Sequence, residues 1–341
     1  MRSARTALEP SYAHLTALTD ERGIFEHAEY DTPRVEHGYC VDDVARALIL
    51  VSREPNQTPG LADLAEIYLA FLEAALTRDG RFHNRMSPEG VFTDMPDTGD
   101  WWGRAVWALG EVSSTAPSPA HRRRAGRAFA RAATQRSVNM RAMAFAGVGA
   151  ASVLRGRHDD AGARALLGAA ASSIGPGRGT RWPWPEDRLR YGNGVIPQVL
   201  LLAGAGLGRR DLLERGLELL RFLLDAESAD GHLSVTGVQG RGPGELGQQQ
   251  FDQQPIEPAA IAEACASAFE VTADPAWLVG LEAAWGWFTG RNDVGIELYD
   301  PSAGAGFDGL QPAGRNANRG AESTIAALMT QQLARRYGVM D

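Results

Sequence analysis

The stretch Ala142-Met143-Ala144-Phe145-Ala146-Gly147-Val148-Gly149-Ala150 is small and apolar on every side of a helix. A second stretch, Arg209-Arg210-Asp211-Leu212-Leu213-Glu214-Arg215-Gly216-Leu217-Glu218-Leu219-Leu220, places leucines on one helical face and charges on the other. A helix that is apolar all round is buried all round, whereas a helix with one apolar face lies at the surface. The two stretches therefore predict two kinds of helix, inner and outer.

The two kinds alternate along the chain. Apolar periodicity and breaker residues predict outer helices near 9–19, 61–77, 118–135, 158–174, 209–226 and 275–289, and inner helices near 42–53, 100–113, 139–155, 194–207, 255–271 and 319–337. Six inner helices alternating with six outer helices predict an all-α (α/α)6 toroid, a six-hairpin barrel with short β-hairpin loops. No linker or low-complexity tract divides the sequence, so residues 1–341 are predicted to form a single domain.

Each predicted inner helix begins with a cluster of polar and aromatic residues. The clusters are Gly38-Tyr39-Cys40-Val41-Asp42-Asp43, Gly99-Asp100-Trp101-Trp102-Gly103-Arg104, Ser137-Val138-Asn139-Met140-Arg141, Tyr191-Gly192-Asn193, Phe251-Asp252-Gln253-Gln254-Pro255 and Asn318-Arg319-Gly320-Ala321-Glu322-Ser323. If alternate helices start at the same end of one barrel, these clusters converge on a single pocket. Long loops precede several of them, and long loops in compact domains are usually functional.

Composition excludes several classes of function. The net charge of -8 argues against a nucleic-acid partner, which needs a basic surface. All 34 basic residues are arginine, which excludes mechanisms that need a lysine amine, such as Schiff-base aldolases and P-loop nucleotidases. No run approaches the ~20 apolar residues of a membrane span, and no secretion signal is visible. A cytoplasmic enzyme without membrane, metal or cofactor is the prediction, with its oligomeric state open.

The acidic residues of the clusters have both a structural and a chemical interpretation. Asp42, Asp43, Asp252 and Glu322 could cap helices or favour the positive end of a helix dipole. Alternatively, they are acids, bases or hydroxyl-binding groups at the barrel mouth. Glu186, beside tryptophans, is predicted to have a raised pKa and to act as a general acid.

The resulting hypothesis assigns two sets of residues. The candidate catalytic residues are Glu186 as acid, with Asp43 or Asp252 as base. The candidate substrate-binding residues are His27, Tyr39, Asp42, Trp102, Arg104, Trp182, Trp184, Asp187, Asn193, Gln253, Gln254 and Glu322. Tryptophan faces stack on sugar rings, although Trp102, Trp182 and Trp184 could equally pack a hydrophobic core. The seven histidines show no His-x-x-x-His spacing, so no protein-caged metal is predicted.

Several of these motifs resemble a bacterial family often labelled "glycosyltransferase", which has no nucleotide-sugar-binding α/β pattern. The resemblance rests on Gly23-Ile24-Phe25-Glu26-His27-Ala28, Gly38-Tyr39-Cys40-Val41-Asp42-Asp43-Val44-Ala45-Arg46-Ala47-Leu48, Trp182-Pro183-Trp184-Pro185-Glu186-Asp187, Phe251-Asp252-Gln253-Gln254-Pro255, Gly290-Arg291-Asn292-Asp293, Tyr299-Asp300-Pro301 and Gly320-Ala321-Glu322-Ser323-Thr324. It spans nearly the whole chain and implies a six-hairpin glycosidase-like protein that handles carbohydrate and occurs with mannose-handling enzymes. One departure is Asp100-Trp101-Trp102-Gly103-Arg104, where the family has a Glu-Asp pair before Gly-Arg.

The leading functional hypothesis is an inverting glycoside hydrolase acting on an oligosaccharide, with mannose-containing chains among the candidate substrates. Such an enzyme needs a protonated acid and an ionised base about 6.5–9.5 Å apart. A sugar epimerase or isomerase on the same toroid is the alternative, although its proton-exchanging groups are typically histidines. A terpene cyclase and a non-catalytic carbohydrate-binding protein are two further readings.

Overall fold

The computed structural model describes residues 9–340, and twelve helices lie in that part of the chain. They are α1 (Ala13–Ala17), α2 (Val41–Arg53), α3 (Pro59–Ala75), α4 (Asp100–Thr115), α5 (Pro119–Ala132), α6 (Met140–Gly156), α7 (Ala161–Ser173), α8 (Val195–Leu207), α9 (Arg210–Ala226), α10 (Ile256–Thr272), α11 (Ala276–Phe288) and α12 (Ala321–Tyr337). The even-numbered helices form a closed ring in which each packs against the next and α12 packs against α2. The odd-numbered helices lie outside this ring, which confirms the predicted (α/α)6 toroid.

Burial separates the two kinds of helix as the sequence predicts. Every residue of α6 from Arg141 to Leu154 is buried, so this helix is enclosed on all sides. In α9 the buried residues are confined to one face, on which Leu219, Leu220 and Leu223 point inward. The core is one continuous hydrophobic cluster that includes residues from Leu15 to Ala334. That continuity is compatible with one domain over residues 1–341, which stays a prediction.

Short antiparallel strand pairs occupy the long loops. The pairs are β1 (Ala28–Glu29) with β2 (Thr32–Pro33), β3 (Tyr39–Cys40) with β4 (Arg85–Met86), β5 (Ser228–Ala229) with β6 (His232–Leu233), β7 (Tyr299–Asp300) with β8 (Ala305–Gly306), and β9 (Gly309–Gln311) with β10 (Gly314–Asn316). Four of the pairs join consecutive strands as hairpins, and β3 with β4 ties the loop before α2 to the loop before α4.

The first helix is shorter than its predicted span of 9–19. The structure has α1 only over Ala13–Ala17, because the chain turns immediately afterwards. Asp20 accepts hydrogen bonds from the backbone N–H groups of Arg22 and Gly23, and Thr19 forms a β-bridge with Ile24. This turn satisfies backbone groups that would otherwise continue the helix.

Charged residues close the carboxyl-terminal end of the ring. Arg53 lies between two buried glutamates, with Nε 3.1 Å from Glu111 and Nη1 2.5 Å from Glu263. The glutamates come from α4 and α10, so one guanidinium joins three inner helices. A cation is also favoured by the negative ends of the helix dipoles. A polar cavity of about 270 Å³ surrounds this cluster.

No helix in the described residues 9–340 combines the length and apolarity that a membrane crossing requires.

Close contact between α4 and α6 depends on glycine, which gives a first testable prediction. A Cβ on Gly110 would lie closer than 3.0 Å to the backbone oxygen of Gly149. We expect Gly110→Ala to force the helices apart and to lower the free energy of unfolding by about 1–3 kcal/mol, measured by thermal and urea unfolding. Gly60→Ala in α3 is the control, because nothing lies within 4 Å of its added carbon. Equal stability of the two variants would contradict this account.

Candidate active site

The amino-terminal ends of the inner helices meet at one end of the barrel. Residues from the starts of α2, α4, α6, α10 and α12, and from the loop before α8, line two adjoining cavities there. No side chain of an N-cap residue caps any of the six inner helices. Asp42 lies inside α2, because the N-cap residue is Cys40. Helix capping therefore does not account for the polar clusters.

The first cavity, here called the deep lobe, has a volume of about 430 Å³. It is lined by Glu26, His27, Cys40, Asp42, Asp43, Arg46, Arg104, Tyr191, Gln254, Ile256, Asp308, Asn316, Gly320, Glu322 and Ser323. The second cavity, here called the shallow lobe, has a volume of about 680 Å³. It is lined by Asp42, Asn84, Gly99, Asp100, Trp101, Arg104, Val138, Asn139, Met140, Arg141, Glu186 and Tyr191. Asp42, Arg104 and Tyr191 belong to both lobes and mark their boundary.

Arginines hold most of the carboxylates of the deep lobe. The Arg104 guanidinium donates to Asp42 at 2.6 Å. Arg46 donates to Asp43 at 2.5 Å and lies 2.8 Å from Glu322, so it joins α2 to α12. Each guanidinium fixes the position of its partner and supplies a compensating charge. Glu26 is paired in the same way with Arg85.

Among the carboxyl groups that line the deep lobe, Asp308 is the one with which no described arginine pairs. Its carboxylate accepts a hydrogen bond of 2.7 Å from the backbone N–H of Gly320. Burial raises the pKa of Asp308, the hydrogen bonds from Gly320 and Ser323 lower it, the negative charge of Glu322 raises it and His27 lowers it, with a net upward shift. A desolvated carboxyl group keeps its proton to higher pH than an exposed one.

Asp43 lies at the bottom of the deep lobe and is 2% exposed. Burial raises its pKa to about 7, although Arg46 opposes the shift. One carboxylate oxygen accepts from Arg46 and the other accepts from the Cys40 thiol at 3.1 Å. Because both oxygens are engaged below the cavity surface, this arrangement suits a residue that positions Arg46.

Glu186 lies in the shallow lobe and is held by a bidentate pair. Arg141 donates from Nη1 and Nη2 to the two carboxylate oxygens, each at 2.7 Å. Both oxygens are therefore engaged by one cationic partner. The general-acid role predicted for Glu186 gains no support from this pairing and stays a prediction. Across the same lobe, the Tyr191 hydroxyl donates to Asp100.

A buried polar network supports the loop that carries Tyr191. Glu257 accepts from the backbone N–H groups of Gly192 at 2.6 Å and Asn193 at 3.3 Å. The Asn193 amide also donates to both Glu257 and Glu227, each at 3.3 Å. Burial, followed by the charge of Glu227, raises the pKa of Glu257 to about 8. The Asn193 amide joins the two buried carboxyl groups, so the protonation of one is linked to that of the other.

Burial excludes several aromatic residues from direct contact with a ligand. Trp102 and Trp184 have no exposed surface, and Trp182 and Tyr39 are 5% and 1% exposed. Their predicted role as sugar-binding residues is therefore wrong in this conformation, and they pack the core. Trp182 also donates to the backbone oxygen of Glu186 at 2.7 Å and so positions that loop. Trp101, which belongs to the same predicted cluster as Trp102, is the tryptophan that lines the shallow lobe.

Four other predicted residues lie outside the two lobes. Asn193 and Gln253 are fully buried, and Gln253 bonds to Asp293 at 2.5 Å and Trp287 at 2.9 Å. Asp252 and Asp187 are exposed but line neither lobe. The predicted base role of Asp252 therefore has no support in this geometry. Within the motif at 251–254, only Gln254 lines the deep lobe. The sequence pattern alone does not distinguish Gln254 from its polar neighbours.

The remaining predicted residues do come together. These are His27, Asp42, Asp43, Arg104, Glu186, Gln254 and Glu322. The candidate residues did not include Arg46 and Arg141, the arginines that fix the carboxylates. Arg141 belongs to the predicted cluster at 137–141, and Arg46 lies within one helical turn of the cluster at 38–43. The candidate residues also omitted Asp308, which precedes α12 by a hairpin and carries no local sequence signal.

One group of potential metal ligands occurs in the described residues. Glu26, Cys40 and Asp43 place one ligand atom each within 4.8 Å of one another. The thiol of Cys40 donates to Asp43, and burial raises its pKa well above the usual range. The hydrogen bond between Cys40 and Asp43 accounts for their close approach.

Comparison with known proteins establishes the fold. No protein-family model and no curated protein matches the chain. Among solved structures, a sugar epimerase from a ruminal bacterium matches with a TM-score of 0.70 and 15% identity, covering 97% of both chains. A D-mannose isomerase matches with a TM-score of 0.68 and 10% identity, covering 95% of this chain and 94% of that one. A GH76 α-mannanase of Bacteroides thetaiotaomicron has a TM-score of 0.62, 10% identity and the same two coverages. All three share the helical toroid; the resemblance to the bacterial family named above stays a prediction.

The protonation of Glu257 generates a prediction about stability. Its folded pKa of about 8 exceeds the ordinary value of 4.5, so the folded state binds more protons than the unfolded state between these values. The free energy of unfolding must therefore fall as pH rises through this window. Glu257→Gln removes this titration while keeping an oxygen acceptor for Gly192.

The measurement is urea unfolding of wild type and Glu257→Gln at pH 5, 6.5 and 8. We expect the variant to gain stability relative to wild type as pH rises. A difference that does not change with pH would show that Glu257 is ionised throughout. Glu245→Gln is a control, because Glu245 is half-buried in the loop before α10 and its pKa is lowered.

Proposed function

We propose that this protein is a carbohydrate-active enzyme that hydrolyses a glycosidic bond of an oligosaccharide. One observation carries the proposal: Asp308, an unpaired carboxyl with a raised pKa, lines the same cavity as Asp42, which Arg104 holds in place. Glycoside hydrolysis requires a protonated acid and an ionised base at one sugar-binding site. The toroid neighbours include an enzyme described as an α-mannanase, which supports this choice of chemistry.

The roles follow from position. Asp308 is bound by Gly320 and Ser323 at the start of α12, and Glu322 belongs to the same side of the lobe. Asp42 projects from the neighbouring helix α2 at the boundary of the two lobes. Arg104 binds one oxygen of Asp42, and no described residue bonds the other. We therefore assign Asp308 as acid and Asp42 as base, with Glu322 and Arg46 as substrate-binding groups.

The proposed reaction is a single displacement. Asp42 removes a proton from water as the water oxygen bonds to the anomeric carbon. The bond from that carbon to the glycosidic oxygen breaks, and Asp308 transfers its proton to the leaving oxygen. General acid and base groups typically contribute about 10²–10⁴-fold each. Inversion at the anomeric carbon is the expected stereochemistry, to be read from the product anomer by NMR.

Sugar epimerisation or isomerisation is the second candidate. His27 lines the deep lobe, and its ring lies 3.0 Å from that of His37, Nδ1 to Nδ1. Imidazole can exchange protons beside a carbonyl, and two of the neighbouring structures are described as a sugar epimerase and an isomerase. Incubation of free monosaccharides in D₂O distinguishes the two functions, since carbon-bound deuterium would appear only through proton exchange.

The acid and base assignments predict different leaving-group dependence. Asp308→Asn should reduce kcat/KM on an oligosaccharide at least a hundredfold, with a much smaller loss on an aryl glycoside whose leaving group needs no proton. Asp42→Asn should reduce kcat/KM on both substrates. Steady-state kinetics on the two substrates test this. Asp187→Asn is the control, because Asp187 is exposed outside both lobes. Equal losses for Asp308→Asn on the two substrates would remove its role as acid.

The effect of Glu322 on Asp308 predicts a shift in the pH profile. Burial is the main cause of the raised pKa of Asp308, and the negative charge of Glu322 adds to it. Removing that charge with Glu322→Gln should lower the pKa of Asp308. The alkaline limb of the kcat/KM profile reports deprotonation of the acid and should therefore move to lower pH. A shift in the opposite direction, or none, would contradict the assignment.

A further inference from the structure

The loops that surround the opening of the active-site cavity, here called the rim, differ in length around the ring. The inner helices α2, α4, α8, α10 and α12 are each preceded by a connection of more than 20 residues, whereas α5 and α6 are joined by the seven residues 133–139 alone. Four of the long connections carry the strand pairs, and the connection before α8 carries none. The least chain surrounds the opening at the start of α6, beside the shallow lobe, and this segment is here called the low rim.

The opposite side of the opening, around α10, α12 and α2, is closed by backbone hydrogen bonds between loops. Gln253 and Leu310 exchange two of them, at 3.0 and 2.9 Å, which joins the loop before α10 to the loop before α12. The N–H of Arg319 donates to Tyr30 at 2.8 Å, and the N–H of Tyr30 donates to the Asn318 side chain at 3.0 Å. These contacts join the loops before α12 and α2. A polymer could not pass through this side without breaking them.

Most of the residues that line the shallow lobe near the start of α6 are exposed or half-buried. At the low rim, Val138 is fully exposed and Asn139 is exposed, and both line the shallow lobe. Trp101 also lines this lobe, with its indole N–H fixed on the Phe82 carbonyl at 3.0 Å. A half-buried tryptophan of fixed orientation is a suitable surface for a sugar ring.

The charges of the deep lobe restrict what its occupant can be. Both guanidinium groups there are already paired, Arg104 with Asp42 and Arg46 with Asp43 and Glu322. Arg46 uses both of its Nη groups in these pairs, whereas Arg104 uses one. The carboxyl groups that line the lobe, five in number, outnumber its two guanidinium groups. The surrounding carboxyl groups would therefore repel a ligand that carries a carboxylate or phosphate. The lobe is therefore chemically suited to a neutral sugar with several hydroxyl groups.

We propose that the protein acts at a chain end: the deep lobe takes one neutral terminal sugar unit, and the rest of the oligosaccharide leaves over the low rim at α6. The boundary residues Asp42, Arg104 and Tyr191 then lie at the bond to be cleaved. This inference rests on the proposed hydrolytic function, and it adds the direction of the substrate, its charge class and the mode of cleavage.

The experiment is a time course on unlabelled tetrasaccharides from α- and β-linked gluco- and manno-series, with oligogalacturonides as anionic counterparts. Chain-end cleavage yields monosaccharide and trisaccharide as the first products, in equal amounts. Initial disaccharide from the middle bond would overturn the inference while leaving hydrolysis intact. Faster turnover of oligogalacturonides than of neutral chains would overturn the charge class. Mass spectrometry and anion-exchange chromatography give both readouts.

Binding provides a measurement independent of turnover. In the Asp308→Asn protein, calorimetric titration with mono-, di- and trisaccharides of the same series should show a gain in affinity of about tenfold from one unit to two. Trp101→Ala in that background should abolish the gain and leave monosaccharide binding unchanged. Val279→Ala, on the exposed face of outer helix α11, is the control. Equal affinity for one and two units would overturn the two-lobe arrangement, whereas absence of all saccharide binding would overturn the proposed function itself.

Discussion

Closure of the inner ring is the constraint on which the rest of the structure depends. Six helices that run in the same direction must each pack against two inner neighbours, so nearly all of their surface is enclosed. Their amino-terminal ends then face one cavity, and their carboxyl-terminal ends face another. The two ends differ in electrostatic character, because helix dipoles are positive at the first and negative at the second. Carboxylates at the amino-terminal end and Arg53 at the other match this polarity.

Arginine organises both ends because it can bind two carboxylates at once through a planar group. Arg46 joins Asp43 to Glu322 across α2 and α12, and Arg53 joins Glu111 to Glu263 across α4 and α10. Burial raises the pKa of both Asp43 and Asp308, and Arg46 opposes the shift at Asp43. Asp308 differs from the other acids of the deep lobe in having no arginine partner among the described residues. Burial and pairing together therefore set the protonation of these carboxyl groups.

The loops add an asymmetry that the helical ring lacks. Five of the connections before the inner helices are long and one is short. The cavity is therefore enclosed by loops on one side and less enclosed at the start of α6. The same scaffold in the sugar epimerase, the isomerase and the α-mannanase shows that the ring alone does not decide the reaction. Loop length and the residues that loops carry into the cavity are the features that can differ between such proteins.

The sequence by itself determined the architecture, because helix burial follows directly from residue periodicity, and the small residues of 142–150 could only be enclosed. It also indicated which end of the barrel bears the polar site, through the clusters at Asp42, Arg104 and Glu322. Only the tertiary structure decided which residues of each cluster reach the cavity. Trp184 is buried in the core, and Asp308 reaches the cavity from a position directly before the β9–β10 hairpin. Side-chain direction in loops depends on packing between segments that are far apart in the chain. The pairing of acids with arginines, and hence their protonation, has the same non-local origin.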